Sequence, residues 1–314
     1  MEHYLVAMGV TAGIYAMMAL GMNVIWGKAG LINLGLVGFF AVGAYTSGLL
    51  TLRLGWPIPL GLAAGPLAAS LVGVLVAMIT VRLRGDYLAI VTLGFAETMR
   101  IVMSNELWIA NGTDGLSGIP GPFRQALGPH LFNLQFLVIC VAVTAVLFFL
   151  VERLAHAPFG RVLRGIRDDE QVVQVAGKNV VMFKVKAFAF GTAALGLAGA
   201  LYGHFTSYIA PDLFAPLLTL YVKLSLLAGG LGKNIGAVVG AVLVVFFLES
   251  TRFIIPLVPG ISHVQGAALR EFLIALALLV VLRFYARGLV PERIAQPPLP
   301  APPPEAAVAV ERLR

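Results

Sequence analysis

Long runs of apolar residues, separated by one or a few charges, dominate the pattern of this chain. The longest runs without Asp, Glu, Lys or Arg cover residues 4–27, 29–52, 54–81, 125–151 and 187–211. Shorter runs follow at 234–248, 253–269 and 272–282. Because roughly 20 apolar residues in a helix cross the hydrocarbon core of a bilayer, about 30 Å thick, these runs predict membrane-spanning segments.

The runs are apolar on every face and do not alternate, which favours helices over the strands of a membrane barrel. We predict nine crossings and therefore an all-α polytopic integral membrane protein. The fourth, seventh and eighth crossings are short and are candidates for broken or re-entrant helices. The predicted crossings cover about 4–26, 30–52, 58–81, 87–103, 131–151, 187–209, 217–232, 235–249 and 267–286.

Lys and Arg predict which ends of these crossings face the cytoplasm, because cytoplasmic loops carry an excess of both. The polar segment 152–186 is predicted to be cytoplasmic because it holds many of them: Arg153, Arg161, Arg164, Arg167, Lys178, Lys184 and Lys186. Nine crossings then leave four basic residues on the far side: Arg53, Arg124, Arg252 and Arg270. The N-terminus is predicted outside and the C-terminus inside.

The composition excludes an ordinary soluble enzyme. Of 314 residues, 59% are hydrophobic and 12% are charged, with a mean hydropathy of +0.93, whereas soluble domains carry roughly 45–50% apolar and about 25% charged residues. The net charge of +7 is explained by the cytoplasmic basic residues, so a nucleic-acid partner is not implied. A single cysteine, Cys140, excludes a disulfide framework, and the histidine spacing predicts no metal site.

The chain divides into a predicted transmembrane domain, 1–290, and a tail, 291–314. No basic n-region of a cleaved signal peptide precedes residues 4–26, so this helix is expected to be retained. The tail contains seven prolines and is expected to be extended or disordered.

The cytoplasmic segment 152–186 contains two short patterns of charge. Three arginines recur every three residues, which places them on one helical face: Arg161, Arg164 and Arg167. Three acids follow directly: Asp168, Asp169 and Glu170. Because acids are favoured at the positive N-terminal end of a helix, they predict that a short helix begins here.

The predicted short helix has an apolar patch, and a glycine stands after it. Gly177 fits the first position after the helix, where the backbone often turns left-handed. Small apolar residues lie between the acids and this glycine: Val172, Val173, Val175 and Ala176. Because no lipid covers this patch, the helix is suited to docking on another protein. The alternative is an ordinary solvated loop.

Several stretches together resemble one protein family. Residues 160–214 are similar to the signature region of permease subunits in branched-chain amino-acid ABC importers, specifically the M-type member of the permease pair. Further blocks agree in order: GLINLGLVGFFAVGAYTSGLL (30–50), RLRGDYLAIVTLGFAETMR (82–100), NGTDGLSGIPGP (111–122), LAGGLGKNIGAVVGAV (227–242) and RGLVPE (287–292). The resemblance covers about 20–292, and six collinear blocks make it specific.

The resemblance implies a division of labour between subunits. Importers of this family combine two permease chains, here expected to differ, with two cytoplasmic ATPases and an amino-acid-binding protein that is periplasmic or lipid-anchored. Residues 161–177 match the family's coupling loop, whose short helix sits in a groove of the ATPase. The implied location is the bacterial cytoplasmic (inner) membrane, in contact with lipid.

This chain itself is expected to be no enzyme and to bind no cofactor. The string nearest to a phosphate-binding loop, residues 227–234, lacks its first glycine and its final hydroxyl. ATP and Mg are therefore expected in the partner ATPases.

One stretch departs from the M-type pattern. Where many relatives resemble GQLSLGHAAFF, this chain has GLINLGLVGFF, so that Ile32-Asn33 and Leu36-Val37 replace a Ser and a His-Ala. The stretch is closer to the other permease of the pair. Branched-chain or similar hydrophobic amino acids are the expected substrates, with urea or short amides as the alternative.

Polar groups inside a membrane are costly and are candidates for function. Glu97 and Arg100, three residues apart on the fourth crossing, could pair across one helical turn, and Asn23 and Asn33 could line a translocation path. Lys223 and Glu249 are further candidates. The alternative is that the long charged side chains reach from helix ends to the interface.

The outer loop 104–130 is rich in Gly and Pro, which mark tight turns. Its residues Thr113, Asp114 and Gly115 are expected on a rigid surface that a binding protein could contact. Gly115–Gly118 also fits the GxSG of intramembrane serine proteases, but the serine lies in a polar loop. A secondary transporter with a proton carried on Glu97 or Glu249 is a further alternative, although such carriers often show internal repeats, and none is evident.

Overall fold

The computed structural model describes residues 2–80, 82–83, 85–124, 128–254, 263–284 and 288–291. The predicted tail beyond Pro291 therefore lies outside the described residues. In chain order the helices are α1 (Glu2–Met22), α2 (Leu36–Arg53), α3 (Ile58–Thr80), α4 (Asp86–Asn105), α5 (Leu107–Ala110), α6 (Pro129–His156), α7 (Pro158–Asp168), α8 (Glu170–Val175), α9 (Val180–Thr206), α10 (Pro216–Gly229), α11 (Asn234–Ile254) and α12 (His263–Phe284).

Seven helices in the described part are long and apolar enough to cross a membrane: α1, α2, α3, α4, α6, α9 and α11. Of the two other long helices, α10 is apolar but has 14 residues, and α12 has 22. The all-α polytopic fold is confirmed. A single antiparallel pair of two-residue strands, β1 (Leu116–Ser117) and β2 (Tyr208–Ile209), is the sheet structure of the described residues.

Helices α1, α2 and α9 form the centre of the bundle, with α3 packed against α2 and α9. Glycines permit this close approach: a Cβ atom built on Gly43 of α2 would lie 2.1 Å from the carbonyl oxygen of Gly196 on α9. Gly196 in turn faces Gly65 of α3: a Cβ atom built on Gly196 would lie 2.9 Å from the carbonyl oxygen of Gly65. Small residues that let helix backbones approach are typical of membrane interfaces.

The first helix does not end cleanly but continues as a π-helical segment, Asn23–Lys28. Residues 29–35 then run in irregular backbone, mostly buried, before α2 begins at Leu36. Side chains satisfy this backbone, since Asn33 Oδ1 accepts from Gly35 N at 2.7 Å and Leu34 N donates to Thr92 Oγ1 at 3.0 Å. Irregular backbone of this kind is tolerated at membrane depth where protein surrounds it.

The helix ends fall at two opposite ends of the bundle. At one end, Lys28 Nζ donates to the carbonyl of Gly232, and Leu289 N donates to the carbonyl of Ala228 at 2.9 Å. This end also carries α7 and α8, and we name it the coupling end. At the other, the distal end, Arg53 donates to the carbonyl of Trp108.

Two predicted starts were wrong, and two helices are longer than predicted. The fourth and eighth crossings are unbroken helices of 20 and 21 residues, and only the seventh is short. The second begins at Leu36, after the irregular backbone, and the sixth begins at Val180 instead of 187. The sixth starts earlier because the helix includes two lysines that the prediction placed outside it: Lys184 is buried and bonded to Glu170, and Lys186 is exposed. The segment between α6 and α9 is therefore 157–179, and we name it the coupling segment.

Candidate functional site: the coupling segment and its anchor

Helix α7 is fastened to the coupling end by apolar side chains and by two of the three predicted arginines. Leu163 and Ile166 are buried against the bundle. Arg164 Nη1 donates to the carbonyl of Ala155 at 3.1 Å, and Arg167 Nη1 donates to the carbonyl of Gly27 at 2.7 Å. Arg161, by contrast, is exposed. The three arginines therefore share a helix but not a role.

Helix α8 begins and ends where the acids and the glycine indicated. Asp169 is its N-cap, and its Oδ1 accepts from Gln171 N at 2.8 Å and from Val172 N at 3.2 Å. At the other end Gly177, with φ of 76°, donates through its N–H to Gln174 O, while Lys178 N donates to Val173 O. This pair of bonds is a Schellman motif, in which the left-handed residue is usually glycine.

The other two acids make separate contacts. Asp168 lies 3.3 Å from Arg167 Nε with a side chain that is 69% exposed. Glu170 Oε2 accepts from Lys184 Nζ at 2.7 Å, and the Lys184 side chain is only 5% exposed. A buried ammonium group is costly without a partner, so Lys184 requires the carboxylate of Glu170. Since the two residues lie on different helices, the pair joins α8 to α9.

The exposed surface of α8 includes two uncovered valines. Val172 is 64% exposed and Val175 is 90% exposed, whereas Val173 packs towards the bundle. None of the six residues of α8 is buried. A helix with both ends capped and its valines exposed can be held in shape while it contacts another protein.

A partly buried polar network lies next to α7 and joins the end of α1 to α6 and α11. Asn23 Nδ2 donates to Asn234 Oδ1 at 2.8 Å, and Asn234 Nδ2 donates to Glu152 Oε2 at 2.6 Å. Asn23 Oδ1 also accepts from Gly232 N at 3.0 Å, so the string that resembles a phosphate-binding loop is a turn held by Asn23. Together with the Arg167–Gly27 bond, this network anchors the coupling segment to the π-helical end of α1.

Sequence reasoning identified Asn23 but missed Asn234 and Glu152. The sequence offered two weak signals: Glu152 is a lone acid beside Arg153, and Asn234 stands at the start of a crossing. Both features are common. Asn23 and Asn33 are 0% and 1% exposed. Among the described residues, both side chains are enclosed by protein, and the role of both in translocation stays a prediction.

Glu97 and Arg100 do pair across one turn of α4, with Arg100 Nη2 at 2.5 Å from Glu97 Oε1. Arg100 Nη1 also lies 3.7 Å from Asp212 Oδ1 in the turn before α10. The Glu97 and Arg100 side chains are 36% and 29% exposed. The charges of Glu97 and Arg100 thus neutralise each other on a face of α4 that the described residues cover only in part.

The two other charged candidates have specific neighbours. Lys223 lies in the middle of α10, with its ammonium 5.1 Å from the centre of the Trp26 ring. Glu249 accepts a hydrogen bond from Tyr4 at the distal end. Lys223 therefore does not reach from a helix end, whereas Glu249 lies near one.

The match to known proteins spans almost the whole of this bundle. A family model described as "Branched-chain amino acid transport system / permease component" matches residues 4–282. The chain belongs to this family. It is accordingly a multi-pass membrane protein, and helices α2 to α11 and most of α1 and α12 fall within the matched region.

Curated relatives agree with the family match. The chain is 33% identical to the "High-affinity branched-chain amino acid transport system permease protein LivM" of Escherichia coli over 76% of its length, and it spans 61% of that protein. It is 30% identical to the "Probable branched-chain amino acid transport permease protein LivM" of Methanocaldococcus jannaschii, covering 91% of this chain and 93% of the relative. It is 26% identical to the "Guanosine ABC transporter permease protein NupQ" of Bacillus subtilis, covering 84% and 86%.

The predicted outer loop, 104–130, lies at the distal end of the bundle. Thr113 and Asp114 are exposed on one turn of 3-10 helix, Gly112–Asp114. Gly115 has φ of 71° and is buried, and a Cβ atom there would lie 2.2 Å from the carbonyl oxygen of Ile209. Ser117 pairs with Tyr208 through the backbone in the β1–β2 ribbon. The loop is therefore braced against the end of α9.

Two side chains missed by sequence reasoning fix this loop. The imidazole of His204, almost fully buried, lies with Nδ1 2.7 Å from the carbonyl oxygen of Pro120 and Nε2 2.9 Å from Ser47 Oγ. Arg124 Nη2 donates to the carbonyl of Phe205 at 3.1 Å, and partial burial lowers the pKa of this guanidinium. His204 is far from the loop in sequence, so only the fold brings them together.

Proposed function

We propose that the chain is the M-type permease subunit of an ABC importer for branched-chain amino acids in the bacterial cytoplasmic membrane. The observation that carries this proposal is the family match over 4–282, combined with an exposed, double-capped α8 at the basic end of the bundle. The coupling end then faces the cytoplasm, as the excess of Lys and Arg favours.

In this proposal residues 1–290 form the permease, 157–179 form the coupling segment, and 291–314 form a cytoplasmic tail. Two ATPases hydrolyse ATP with Mg, and one of them receives α8 through Val172 and Val175. A second, different permease completes the path, and lipid surrounds the pair. Arg161 is free to contact the ATPase, since it is exposed beside the helix.

The contacts of the coupling segment suggest how movement reaches the membrane. A displacement of α8 acts on α9 through Glu170 and Lys184, and on α1 through α7 and the Arg167–Gly27 bond. Both α1 and α9 lie at the centre of the bundle. Because packed helices shift as units, this arrangement can convert closure of the ATPases into a change of access along the path.

The substrate side of the proposal rests on two candidate regions. Asn23, Asn33, Glu97 and Arg100 are the candidates for the path, and Thr113, Asp114 and Gly115 for contact with the external binding protein. The LivM relatives, named for branched-chain amino acids, are 30–33% identical, against 26% for the guanosine permease and 24% for the Escherichia coli LivH permease, which is also named for branched-chain amino acids. The higher identity to the LivM relatives supports a branched-chain amino acid as the substrate over a nucleoside.

Purification from the native membrane in mild detergent tests the proposal. The tagged chain should recover two ATPases that carry phosphate-binding loops and a second permease. Deletion of Val172–Ala176 should abolish recovery of the ATPases while the second permease remains bound. A chain that purifies alone and transports in proteoliposomes without ATP would contradict the proposal.

A further inference from the structure

A deep apolar groove opens on the side of the bundle between α6 and α11. Its volume is about 540 Å³, which is in the range of roughly 300–1,000 Å³ found for small-ligand sites. Its floor consists of small residues on one face of α1: Gly9, Ala12, Gly13 and Ala16. Its walls are uncovered apolar side chains, and Phe149 on α6 and Ile235 on α11 are 70% and 55% exposed.

The lining is suited to hydrocarbon and not to a polar substrate. Thr144 carries the one hydroxyl of the lining, and it already donates to the carbonyl of Cys140 at 2.7 Å. On α6 the lining runs from Leu137 to Phe149, which is about 18 Å at 1.5 Å per residue. This length is close to half of the hydrocarbon core, about 15 Å, and therefore to the depth of one leaflet.

Two basic residues stand where the groove reaches the coupling end. There α6 and α11 are joined by the bond from Asn234 to Glu152. Arg153 follows Phe149 by one helical turn, so it lies on the same side of α6, and Lys233 directly precedes Asn234. Arg153 is exposed and Lys233 half-buried, and within the described part of the chain neither side chain has a hydrogen-bond or ion-pair partner.

We propose that this groove binds an anionic phospholipid, with an acyl chain against the floor of α1 and the phosphate between Arg153 and Lys233. Basic sites between transmembrane helices at the cytoplasmic side are the surroundings that anionic headgroups prefer. The lipid would cover the exposed walls beside the Asn23–Asn234–Glu152 network. Only the choice of leaflet rests on the proposed function, and the binding test below does not use it.

Native mass spectrometry of the purified full chain, titrated with dioleoyl phosphatidylglycerol or dioleoyl phosphatidylcholine, tests the charge requirement. Phosphatidylglycerol should bind more tightly than phosphatidylcholine. The double variant Arg153→Gln/Lys233→Gln should weaken phosphatidylglycerol binding about 25-fold, since each basic residue near an anionic surface contributes roughly fivefold. The control Lys178→Gln/Lys186→Gln removes two charges from the same end, outside the lining, and should keep the affinity.

A second pair of variants tests the groove itself. Ala145→Trp fills the lining and should reduce binding of both lipids, whereas Ala142→Trp, on the exposed surface of α6 outside the lining, should not. The proposal would be overturned if both lipids bind equally and if neither the charge variant nor Ala145→Trp changes their binding. So would a cross-link from Val239→Cys to a second permease in membranes, because a protein helix would then occupy the groove.

Discussion

The N-cap of α8 gives the most sharply defined test of the coupling segment. Asp169 Oδ1 accepts two backbone N–H groups, and Asp169→Ala removes both bonds. Loss of an N-cap costs about 1 kcal/mol, within a range of roughly 0.5–2 kcal/mol. No residue of α8 is buried, and a six-residue helix is marginal without support, so packing can compensate little of this cost.

A cost of about 1 kcal/mol changes the ratio of folded to unfolded α8 by roughly fivefold. If the ATPase binds only the folded helix, its apparent affinity falls by the same fraction, so we expect a two- to fivefold increase in Kd. The melting temperature of the permease should change little, because no residue of α8 is buried and only Val173 packs towards the bundle. Titration of the permease in nanodiscs with the purified ATPase measures the first quantity, and thermal unfolding measures the second.

The chain offers two matched controls for this variant. Asp168→Ala makes the same change of charge one residue earlier, where the carboxylate is exposed and contacts only Arg167 within the described residues. An exposed pair of this kind contributes about 0–1 kcal/mol, so ATPase binding should change little. Asp169→Asn keeps an oxygen that can cap the helix and should bind like the wild type. Equal weakening by Asp168→Ala and Asp169→Ala, or none by either, would refute the capping argument.

Further predictions concern the exposed face of α8, the anchor and the helix packing. Val175→Asp should weaken ATPase binding at least about tenfold in the same titration, because an unpaired charge would be buried at the contact, and unchanged binding would contradict this docking face. Arg167→Gln should preserve ATPase binding but lower the ratio of substrate imported to ATP hydrolysed, since the charged bond to Gly27 is lost; an unchanged ratio would exclude this route of transmission. Gly43→Ala should cost about 1–3 kcal/mol or more through contact with Gly196 and lower the apparent melting temperature in size-exclusion assays, whereas Gly94→Ala, with open space around it, should not.

The order of the crossings could be predicted because a helix in lipid must satisfy its own backbone groups and keep charges out of the hydrocarbon. Each predicted crossing corresponds to a helix of the described chain. The same reasoning misplaced the start of α9, because a lysine counts as a break in an apolar run. Neither lysine interrupts the helix here, since Lys184 is paired with Glu170 of a neighbouring helix and Lys186 is exposed.

The coupling segment was predictable to the extent that its signals are local. Acids at the start of a helix and a glycine after it act within a few residues, so the run 168–170 and Gly177 could be placed at the two ends of α8 from sequence. That Asp169 is the acid that caps the helix is seen only in the structure. The anchor depends on contacts between residues far apart, such as Asn23 with Asn234 and Asn234 with Glu152. Neither the composition of the chain nor the spacing of its apolar residues predicts such pairs, because they form only where three helices meet.

The central claim is that this chain imports its substrate only together with ATPases that engage α8. Uptake of radiolabelled leucine into proteoliposomes tests it most directly, with the chain, its partner permease, the ATPases and the binding protein reconstituted together. We predict uptake that requires ATP and is abolished by deletion of Val172–Ala176. Uptake by the chain alone, driven by a proton gradient without ATP and lost in Glu97→Gln or Glu249→Gln, would contradict the account.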